Sequence, residues 1–456
     1  MEPVKMLVLG AGGRGGVYAD FVANNPDKAA VVGVAEPRDF YRNRIAAAHR
    51  IPEDRVFRSW EQAAALPRFA DAVLICTQDS MHTAPALAFA RRKYHILLEK
   101  PMAPTEPECR RIVEAVKRNK VILAVSHVMR YTRPVQNVKR LLRSGVIGEI
   151  ASLQDLEGVT YWHQAHSYVR GHWRNEKESS FMLLAKSCHY LDAISYYMGS
   201  PCAKVSSFGN LKHFRGENKP RGAAMRCMDC PRSVESKCPY SARRFYLNRV
   251  KLQKIGWPVN VLSPDPTEKS ISEALRKGPY GRCVYACDND VVDHQVVNME
   301  FANGATAVHT MTAFTPEADM GPKLRIFGTR GMLCLKGSQI QVFDFLTDTS
   351  KIYDASKFVS DAAKCDEGAH GGGDGGLMTQ FIEAVQTGDQ GKLLTGPDET
   401  LESHRIVFAA ERSRRTGSIV KIPALSGGGL TNAQKRVLLC RFNARKTENE
   451  TKLSAI

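Results

Sequence analysis

The feature that most constrains this chain is a glycine-rich turn close to its start. An apolar run from Met6 to Leu9 leads directly into Gly10-Ala11-Gly12-Gly13-Arg14-Gly15, which has the spacing Gly-x-Gly-x-x-Gly. In a strand–turn–helix unit, Gly10 permits the tight turn, Gly12 lets the backbone approach a pyrophosphate, and Gly15 lets the helix pack closely on the strand. The helix N-terminus then offers N–H groups and a partial positive charge to phosphates. The pattern predicts a dinucleotide-binding turn, and a glycine-rich turn of another α/β protein is the alternative.

An acidic residue downstream supports the dinucleotide interpretation. The second apolar run, Ala30 to Ala35, ends in Glu36, about twenty residues beyond the turn, where an acid can bind the adenosine ribose hydroxyls. A carboxylate there repels a 2′-phosphate and favours NAD. Arg38 and Arg42 follow closely and would favour NADP. We therefore expect NAD, with NADP as the alternative.

The order of strand and helix patterns predicts an α/β fold with two domains. Apolar strand patterns alternate with helical patterns over residues 1–130, which is typical of a doubly wound, mostly parallel sheet in a Rossmann domain. Longer alternating segments over residues 131–423, with a hairpin signal at Asn303-Gly304, predict a second α/β domain with an open, largely antiparallel sheet. A stretch rich in Pro, Arg and Cys, about 210–290, is predicted to be an insertion, and the basic tail 424–456 is expected to be disordered.

Composition excludes several classes of protein. The 456 residues contain no apolar run near the ~20 residues of a membrane span, and the start of the chain does not read as a secretory signal. The net charge of +17 is spread along the chain without an aromatic-rich basic stripe, so we expect a surface that attracts anionic ligands and no nucleic-acid partner. A soluble cytoplasmic protein without a membrane partner is the expectation.

A lysine stands at the end of another predicted strand. Glu99-Lys100-Pro101 follows the run from His95 to Leu98, at the sheet edge where such folds bind nucleotides. Beside Glu99 and partly buried, Lys100 is suited to act as an acid or base, or to hold a ribose or substrate hydroxyl. A surface lysine at a strand end is the alternative.

At this point the chain resembles the glucose-fructose oxidoreductase / inositol dehydrogenase / MocA-like (Gfo/Idh/MocA) oxidoreductase family. The resemblance covers roughly residues 4–423 and rests on the glycine turn, on TQDSMH at Thr77–His82, on EKPM at residues 99–102 and on the domain order. It implies a bound NAD(H) or NADP(H), substrates such as sugars or polyols, a homo-oligomer (dimer or tetramer), and a catalytic or substrate-contacting role for Lys100. The predicted cofactor-binding residues are Gly10, Gly12, Gly13, Arg14, Gly15, Glu36, Thr77, His82, Glu99 and Lys100.

The second motif of the family is altered in this chain. The family usually reads Asp-x-Gly-x-His, and His189 matches its histidine, but Ala185 occupies the position of the aspartate. The usual Lys-Asp-His proton relay is therefore incomplete. Lys186 is the candidate substitute, and Asp192, three residues after His189, is placed to orient its ring. The predicted catalytic residues are Lys100, His189 and Lys186.

Two further segments are candidates for a role in the site. An aromatic and histidine-rich stretch suits stacking on a sugar-like ring, or packs on the fold instead: Tyr161, Trp162, His163, His166, His172, Trp173 and Arg174. The run His370-Gly371-Gly372-Gly373-Asp374 is either a substrate loop or a helix entry capped by Asp374.

The cysteines of the predicted insertion have a metal-like spacing. Cys227-x-x-Cys230 is followed by Cys238, which is typical of zinc ligands, with Cys283 or Cys287 as the fourth. A structural zinc is thus one possibility; loose thiols or a disulfide are the others, and no metal site is assigned.

These observations together predict an NAD(P)-dependent dehydrogenase. It would transfer a hydride between the nicotinamide and a secondary hydroxyl or carbonyl of a sugar, polyol or related cyclic compound. The altered second motif keeps two alternatives open: an NAD-dependent glycosidase acting by transient oxidation and elimination, and a non-catalytic NAD-binding regulator. The sequence does not identify the substrate.

Overall fold

The computed structural model describes residues 2–317, 323–357 and 371–424. Its strands are β1 Val4–Leu9, β2 Ala29–Ala35, β3 Val56–Phe57, β4 Ala72–Ile75, β5 His95–Leu98, β6 Leu123–Val125, β7 Ile150–Gly158, β8 Cys202–Asn210, β9 His294–Phe301, β10 Thr306–Thr312, β11 Lys323–Gly328, β12 Gly331–Lys336, β13 Gln339–Asp344, β14 Thr349–Asp354 and β15 Val420–Lys421. Its α-helices are α1 Gly13–Asn24, α2 Asp39–Ala48, α3 Trp60–Ala65, α4 Thr83–Arg91, α5 Glu106–Asn119, α6 Arg133–Arg143, α7 Tyr161–His163, α8 Cys188–Met198, α9 Arg232–Glu235, α10 Ala242–Lys251, α11 Glu268–Lys277, α12 Gly373–Thr387 and α13 Pro397–Thr416. The predicted tail lies outside the described residues from position 425 onward, as does His370.

The first sheet confirms the predicted parallel architecture. Its six strands lie in the order β3-β2-β1-β4-β5-β6, and all neighbouring pairs are parallel. The strand order reverses between β1 and β4, and such a switch point opens a crevice at the carboxyl ends of the strands. The glycine turn follows β1 at this point. The sequence patterns missed only β3, which has two residues.

The second sheet is mixed and mostly antiparallel, as predicted. Its nine strands lie in the order β14-β13-β12-β11-β7-β10-β9-β8-β15; β7 and β10 are parallel and the other neighbours are antiparallel. The hairpin signal is confirmed, because β9 and β10 pair through a turn in which Gly304 has a φ of +83°. Strands β12, β14 and β15 were not among the predicted segments.

The segment between β8 and β9 leaves the sheet and builds a small helical unit. Helices α10 and α11 share an apolar core that contains Tyr246, Ile271 and Leu275. The chain thus departs after Asn210 and rejoins the sheet at His294, close to the limits predicted for the insertion. The domain boundaries remain predictions.

The last two long helices connect the two sheets. In α12, Leu377 and Phe381 are buried in the same core as Met6 of β1. In α13, His404 accepts a hydrogen bond at Nε2 from the Met102 backbone (3.0 Å), just beyond β5. No helix in the described part of the chain is long and apolar enough to cross a membrane.

Candidate active site

The glycine turn (residues 10–15) has the geometry of a phosphate cradle. Gly10 has a φ of +84°, and a Cβ there would lie 2.5 Å from the Cys76 carbonyl oxygen. A Cβ on Gly15 would lie 1.9 Å from the Gly10 carbonyl oxygen. Helix α1 begins at Gly13 without a side-chain cap or an acidic residue in its first turn, so its N–H groups and positive end suit an anionic ligand. These residues fit the pyrophosphate of a dinucleotide.

Glu36 lies beside this turn, as predicted. Its Oε2 accepts a hydrogen bond from the Ala11 backbone (2.9 Å), and Arg38 Nε donates to Oε1 (2.7 Å). Burial opposes ionisation of Glu36, but the bonds from Arg38 and Ala11 outweigh it and hold the pKa of Glu36 below its usual value. The ionised carboxylate can accept ribose hydroxyls, while the half-exposed Arg38 guanidinium is the group that a 2′-phosphate would meet.

Arg14 and Glu99 lie in one network at the carboxyl ends of the strands. Arg14 Nε donates to Glu99 Oε1 (2.7 Å), and Arg14 also bonds to Tyr18 and Asp374. Burial raises the pKa of Glu99, but the neighbouring Arg14 guanidinium more than compensates and the net pKa is lowered. Asp374 lies inside α12, whose cap residue is Gly372. It therefore pairs with Arg14 rather than capping the helix, a role that sequence patterns did not predict.

Thr77 and His82 organise the loop after β4. His82 is fully buried, with Nδ1 2.8 Å from the Pro101 carbonyl oxygen and Nε2 3.1 Å from that of Thr77. The ring thereby ties this loop to the segment that carries Lys100. Direct contact of Thr77 or His82 with the cofactor stays a prediction.

Lys100 reaches from the first sheet to the second motif. Its Nζ donates a hydrogen bond of 2.6 Å to the Ala185 carbonyl oxygen. Ala185 lies in Leu183–Ser187, a π-helical stretch that precedes α8. Such stretches are frequent at functional sites, because widened turns change which carbonyls are bonded within the helix. The structure thus brings Lys100 next to the second motif, and the catalytic role of Lys100 stays a prediction.

His189 lies on α8 next to His127, which in turn contacts His404. Its ring is 5.5 Å from the His127 ring, and the His127 ring is 5.2 Å from that of His404. Burial lowers the pKa of His127 to about 4, so this ring is neutral near pH 7. Sequence reasoning did not single out His127, although its position directly after β6 was a usable signal.

Asp192 has a different partner from the one expected. Arg130 Nε and Nη2 donate to its two carboxylate oxygens at 2.6 and 2.8 Å. Burial disfavours the charged form of Asp192, but Arg130 prevails and its pKa lies below the usual value. The expectation that this carboxylate orients the His189 ring is replaced by a buried ion pair with Arg130.

Lys186 and His163 lie near Lys100. Lys186 Nζ is 3.5 Å from Oε1 of the buried Glu157. The pKa of His163 is well below its usual value, first because of burial and then because of the positive charges of Lys186 and, more weakly, Lys100. Lys100, His163, Lys186 and His189 are called the lysine–histidine cluster below. Glu157 and His163 extend the set of three catalytic candidates that the sequence provided.

The aromatic stretch divides between this cluster and the fold. Trp162 and His163 contact Trp257 of the helical unit, with ring centroids 5.5 and 5.0 Å apart. His166 Nδ1 is instead 2.6 Å from the Tyr246 hydroxyl, and Arg174 pairs with Glu178 and Asp288. Half-exposed Trp257, which no sequence pattern identified, therefore extends the aromatic surface beside His163.

The cysteines of the helical unit do not form a metal centre. Four of them line one cavity, Cys227, Cys230, Cys238 and Cys283, and all are free thiols. Burial raises the pKa of Cys238 and Cys283, so both side chains are protonated thiols near pH 7. Among the described residues, no group of three or more His, Cys, Asp or Glu side chains is arranged to hold a metal ion. Zinc is therefore not supported.

Comparison with known proteins agrees with the fold and the cofactor site. The model "Oxidoreductase family, NAD-binding Rossmann fold" (GFO_IDH_MocA) matches residues 4–127, and "Oxidoreductase family, C-terminal alpha/beta domain" matches residues 139–422. Inositol 2-dehydrogenase of Corynebacterium glutamicum is 30% identical over 45% of this chain and 57% of its own length. 2,7-anhydro-N-acetylneuraminate hydratase of Escherichia coli is 30% identical over 32% of this chain and 38% of its own. The chain thus aligns with well under two thirds of each of these relatives.

Solved structures show the same fold over nearly the whole chain. Levoglucosan dehydrogenase in complex with NADH and levoglucosan superposes with a TM-score of 0.65 and 18% identity, covering 92% of this chain and 100% of that chain. The WlbA dehydrogenase from Bordetella pertussis, in complex with NADH and UDP-GlcNAcA, gives a TM-score of 0.64 and 18% identity, over 93% and 99% of the two chains. With both family models matched and this fold, the chain belongs to the Gfo/Idh/MocA family of NAD-binding oxidoreductases.

Proposed function

We propose that this protein is an NAD(P)-dependent dehydrogenase acting on a secondary hydroxyl or carbonyl of a sugar, polyol or related cyclic compound. The observation that carries the proposal is the position of Lys100. It follows β5 directly, at the same sheet edge as the glycine turn, and its Nζ bonds to Ala185 in the second motif. A proton-transferring group is thus held next to the place where the dinucleotide fits.

The residues of the lysine–histidine cluster have separate roles in the proposed reaction. When bound, the nicotinamide supplies the hydride acceptor or donor. Lys100 Nζ binds the substrate hydroxyl oxygen and orients the carbinol C–H, and Lys100 or His189 takes the hydroxyl proton as the carbonyl forms. Neutral His163, half-buried and close enough to both lysines for their charges to lower its pKa, offers a ring nitrogen for a second substrate hydroxyl.

We favour NAD over NADP because Glu36 is ionised and faces the glycine turn through Ala11. Titration of the full chain with NADH and NADPH, followed by fluorescence, tests the choice. The expected result is tighter binding of NADH; tight NADPH binding without NADH binding would reverse it. Absence of binding to either nucleotide would refute the dehydrogenase proposal itself.

The reaction is tested with a panel of hydroxylated compounds and NAD⁺, with reduction followed by absorbance. For any substrate found, Lys100→Met should lower kcat by about 100-fold or more, the usual loss on removing a general acid or base. NADH affinity should stay unchanged. Lys117→Met is the control, because Lys117 is exposed and pairs with Asp398 at the surface. Equal activity of the two variants would contradict the role of Lys100.

A second candidate function is hydration or glycoside cleavage through transient oxidation. It is favoured by the similarity to the E. coli protein named as a hydratase and by the altered motif around Ala185. The substrate hydroxyl would be oxidised to a carbonyl, the leaving group on the β-carbon eliminated together with the α-proton, water added across the resulting carbon–carbon double bond, and the carbonyl reduced again. Turnover of an aryl glycoside or an anhydro sugar without net NADH formation would identify it. Cofactor binding without turnover on either panel would instead indicate the non-catalytic regulator.

A carbohydrate-like substrate, a homo-oligomeric state and a cytoplasmic location complete the proposal. The names of the relatives support the substrate class, since inositol and levoglucosan are both polyhydroxylated rings. Size-exclusion chromatography with light scattering tests the oligomeric state, for which a dimer or tetramer is expected.

A further inference from the structure

A carboxylate buried in the second sheet points toward the lysine–histidine cluster. Glu157 lies near the end of β7 and is fully buried. Its Oε2 accepts a hydrogen bond of 2.6 Å from Ser187 Oγ, whereas Oε1 accepts none. A buried carboxylate is costly unless a cation or several donors accompany it, so the second oxygen requires a positively charged neighbour.

Lys186 is that neighbour. Its Nζ lies 3.5 Å from Glu157 Oε1, and its side chain is 25% exposed, so the ammonium lies between the buried carboxylate and solvent. On the cluster side the charge of Lys186 reaches His163, whose pKa is lowered first by burial and next by this lysine. Lys186 therefore connects the sheet interior with the place where the substrate is proposed to bind.

The groups behind Glu157 keep its position fixed. His309 of the adjacent strand β10 has Nδ1 2.6 Å from Asp155 Oδ2 and Nε2 3.8 Å from Glu157 Oε2. Tyr168 and Tyr190 also lie within electrostatic reach of Glu157; burial first, and then this charge, raises the pKa of both. Lys186 is the one lysine or arginine within ion-pair distance of Glu157 among the described residues.

We propose that Glu157 is a positioning residue that holds the Lys186 ammonium, charged and oriented, against the substrate oxygen from which the proton is removed. This inference rests on the proposed function. A fixed cation at that oxygen stabilises the negative charge that develops as the proton leaves, and a buried, preorganised ion pair does so without reorganisation. Ala185 has no carboxylate, so under this proposal the negative charge comes from Glu157 on β7 and acts through Lys186.

The test measures Lys186 itself and needs no substrate. The full chain is acetylated with trace acetic anhydride at pH 8, and the rate at each lysine is read by mass spectrometry relative to exposed Lys117. In Glu157→Gln, the Lys186 amine loses the ion pair that holds it against the sheet interior, and its labelling should speed up by about fivefold or more. Glu300→Gln is the matched control: it removes the partner of Lys204 in an exposed pair, where labelling should change less than about twofold.

Unchanged Lys186 labelling in Glu157→Gln would overturn the proposal, whatever the activity of the protein. Should that variant fail to fold, Glu157→Asp is used instead, because it keeps the charge but withdraws it by one methylene. An intermediate rise in the Lys186 labelling rate is then expected, and an unchanged rate would again overturn the proposal. Once a substrate is known, Glu157→Gln and Lys186→Met should each lower kcat by about tenfold with KM and NADH affinity retained. Loss of NADH binding together with kcat would indicate a purely structural role.

Discussion

Replacing Asp192 by alanine should destabilise the protein far more than the loss of an ordinary ion pair. Asp192 and Arg130 are almost fully buried and joined by two hydrogen bonds. Asp192→Ala leaves the Arg130 guanidinium buried without its counter-charge, which costs about 3–5 kcal/mol. For a chain of 456 residues that unfolds as one unit, the entropy of unfolding is about 1 kcal/mol/K, so Tm should fall by about 3–5 °C.

Thermal unfolding followed by circular dichroism, with two controls, tests the reasoning. Asp398→Ala breaks the exposed pair with Lys117 and should lower Tm by less than about 1 °C. Arg130→Met combined with Asp192→Leu removes both buried charges and should recover part of the loss, because no isolated charge remains. An equal effect of Asp192→Ala and Asp398→Ala would refute the assignment of Asp192 to a buried ion pair.

Three further outcomes follow from the geometry. Gly15→Ala should weaken NADH binding by about tenfold or more, because its Cβ would lie 1.9 Å from the Gly10 carbonyl oxygen and α1 must shift. Gly13→Ala is the control and should keep the wild-type Tm, because the space around its Cβ is open. Equal Tm and equal NADH affinity in the two variants would contradict this reasoning. Arg38→Gln should weaken NADPH binding by about tenfold in a fluorescence titration and leave NADH nearly unchanged, whereas a parallel loss of both would show that Arg38 only supports Glu36. Burial lowers the pKa of His127 to about 4, whereas a histidine of the unfolded chain has a pKa of about 6.5, so the unfolded chain binds more protons and stability should fall as pH drops from about 6.5 to about 4. Burial lowers the pKa of His166 and His404 as well, so His127→Phe should reduce the fall of Tm in that window without abolishing it, and an unchanged slope would be contrary.

The cofactor half of the site was predictable because its residues follow strands of one parallel sheet. Gly10 follows β1, Glu36 follows β2 and Lys100 lies just beyond β5, and the carboxyl ends of parallel strands meet at one edge. A local pattern together with this rule was enough to place them. No local pattern predicted the two-residue strand β3 or the hydrogen bonds through which the His82 ring holds its loop, since both depend on packing rather than on periodicity.

The substrate half was harder because its contacts join distant segments. Glu157 lies on β7, Lys186 lies just before α8, and Trp257 comes from the helical unit between β8 and β9. No local sequence pattern joins these three segments. One signal was available: Leu153, Asp155 and Glu157 share the inward face of β7. Two acids at core-facing positions of a strand require partners for their charge, which here are His309 and Lys186, but sequence alone does not say which.

The altered second motif limits how a proton can travel through this site. Lys100 Nζ donates its hydrogen bond to the main-chain carbonyl of Ala185. This oxygen accepts a hydrogen bond but does not take up a proton at neutral pH. Ala185 can therefore position Lys100 but cannot relay a proton away from it. Asp192 is paired with Arg130 and its pKa lies below the usual value of an aspartate, so it is a poor proton acceptor as well. Of the histidines near Lys100, His127 and His163 favour the neutral form, because burial lowers the pKa of both rings. Under the proposed function, we therefore expect a proton taken from the substrate to leave through His189, which lies one turn beyond Ala185 on the same helical path.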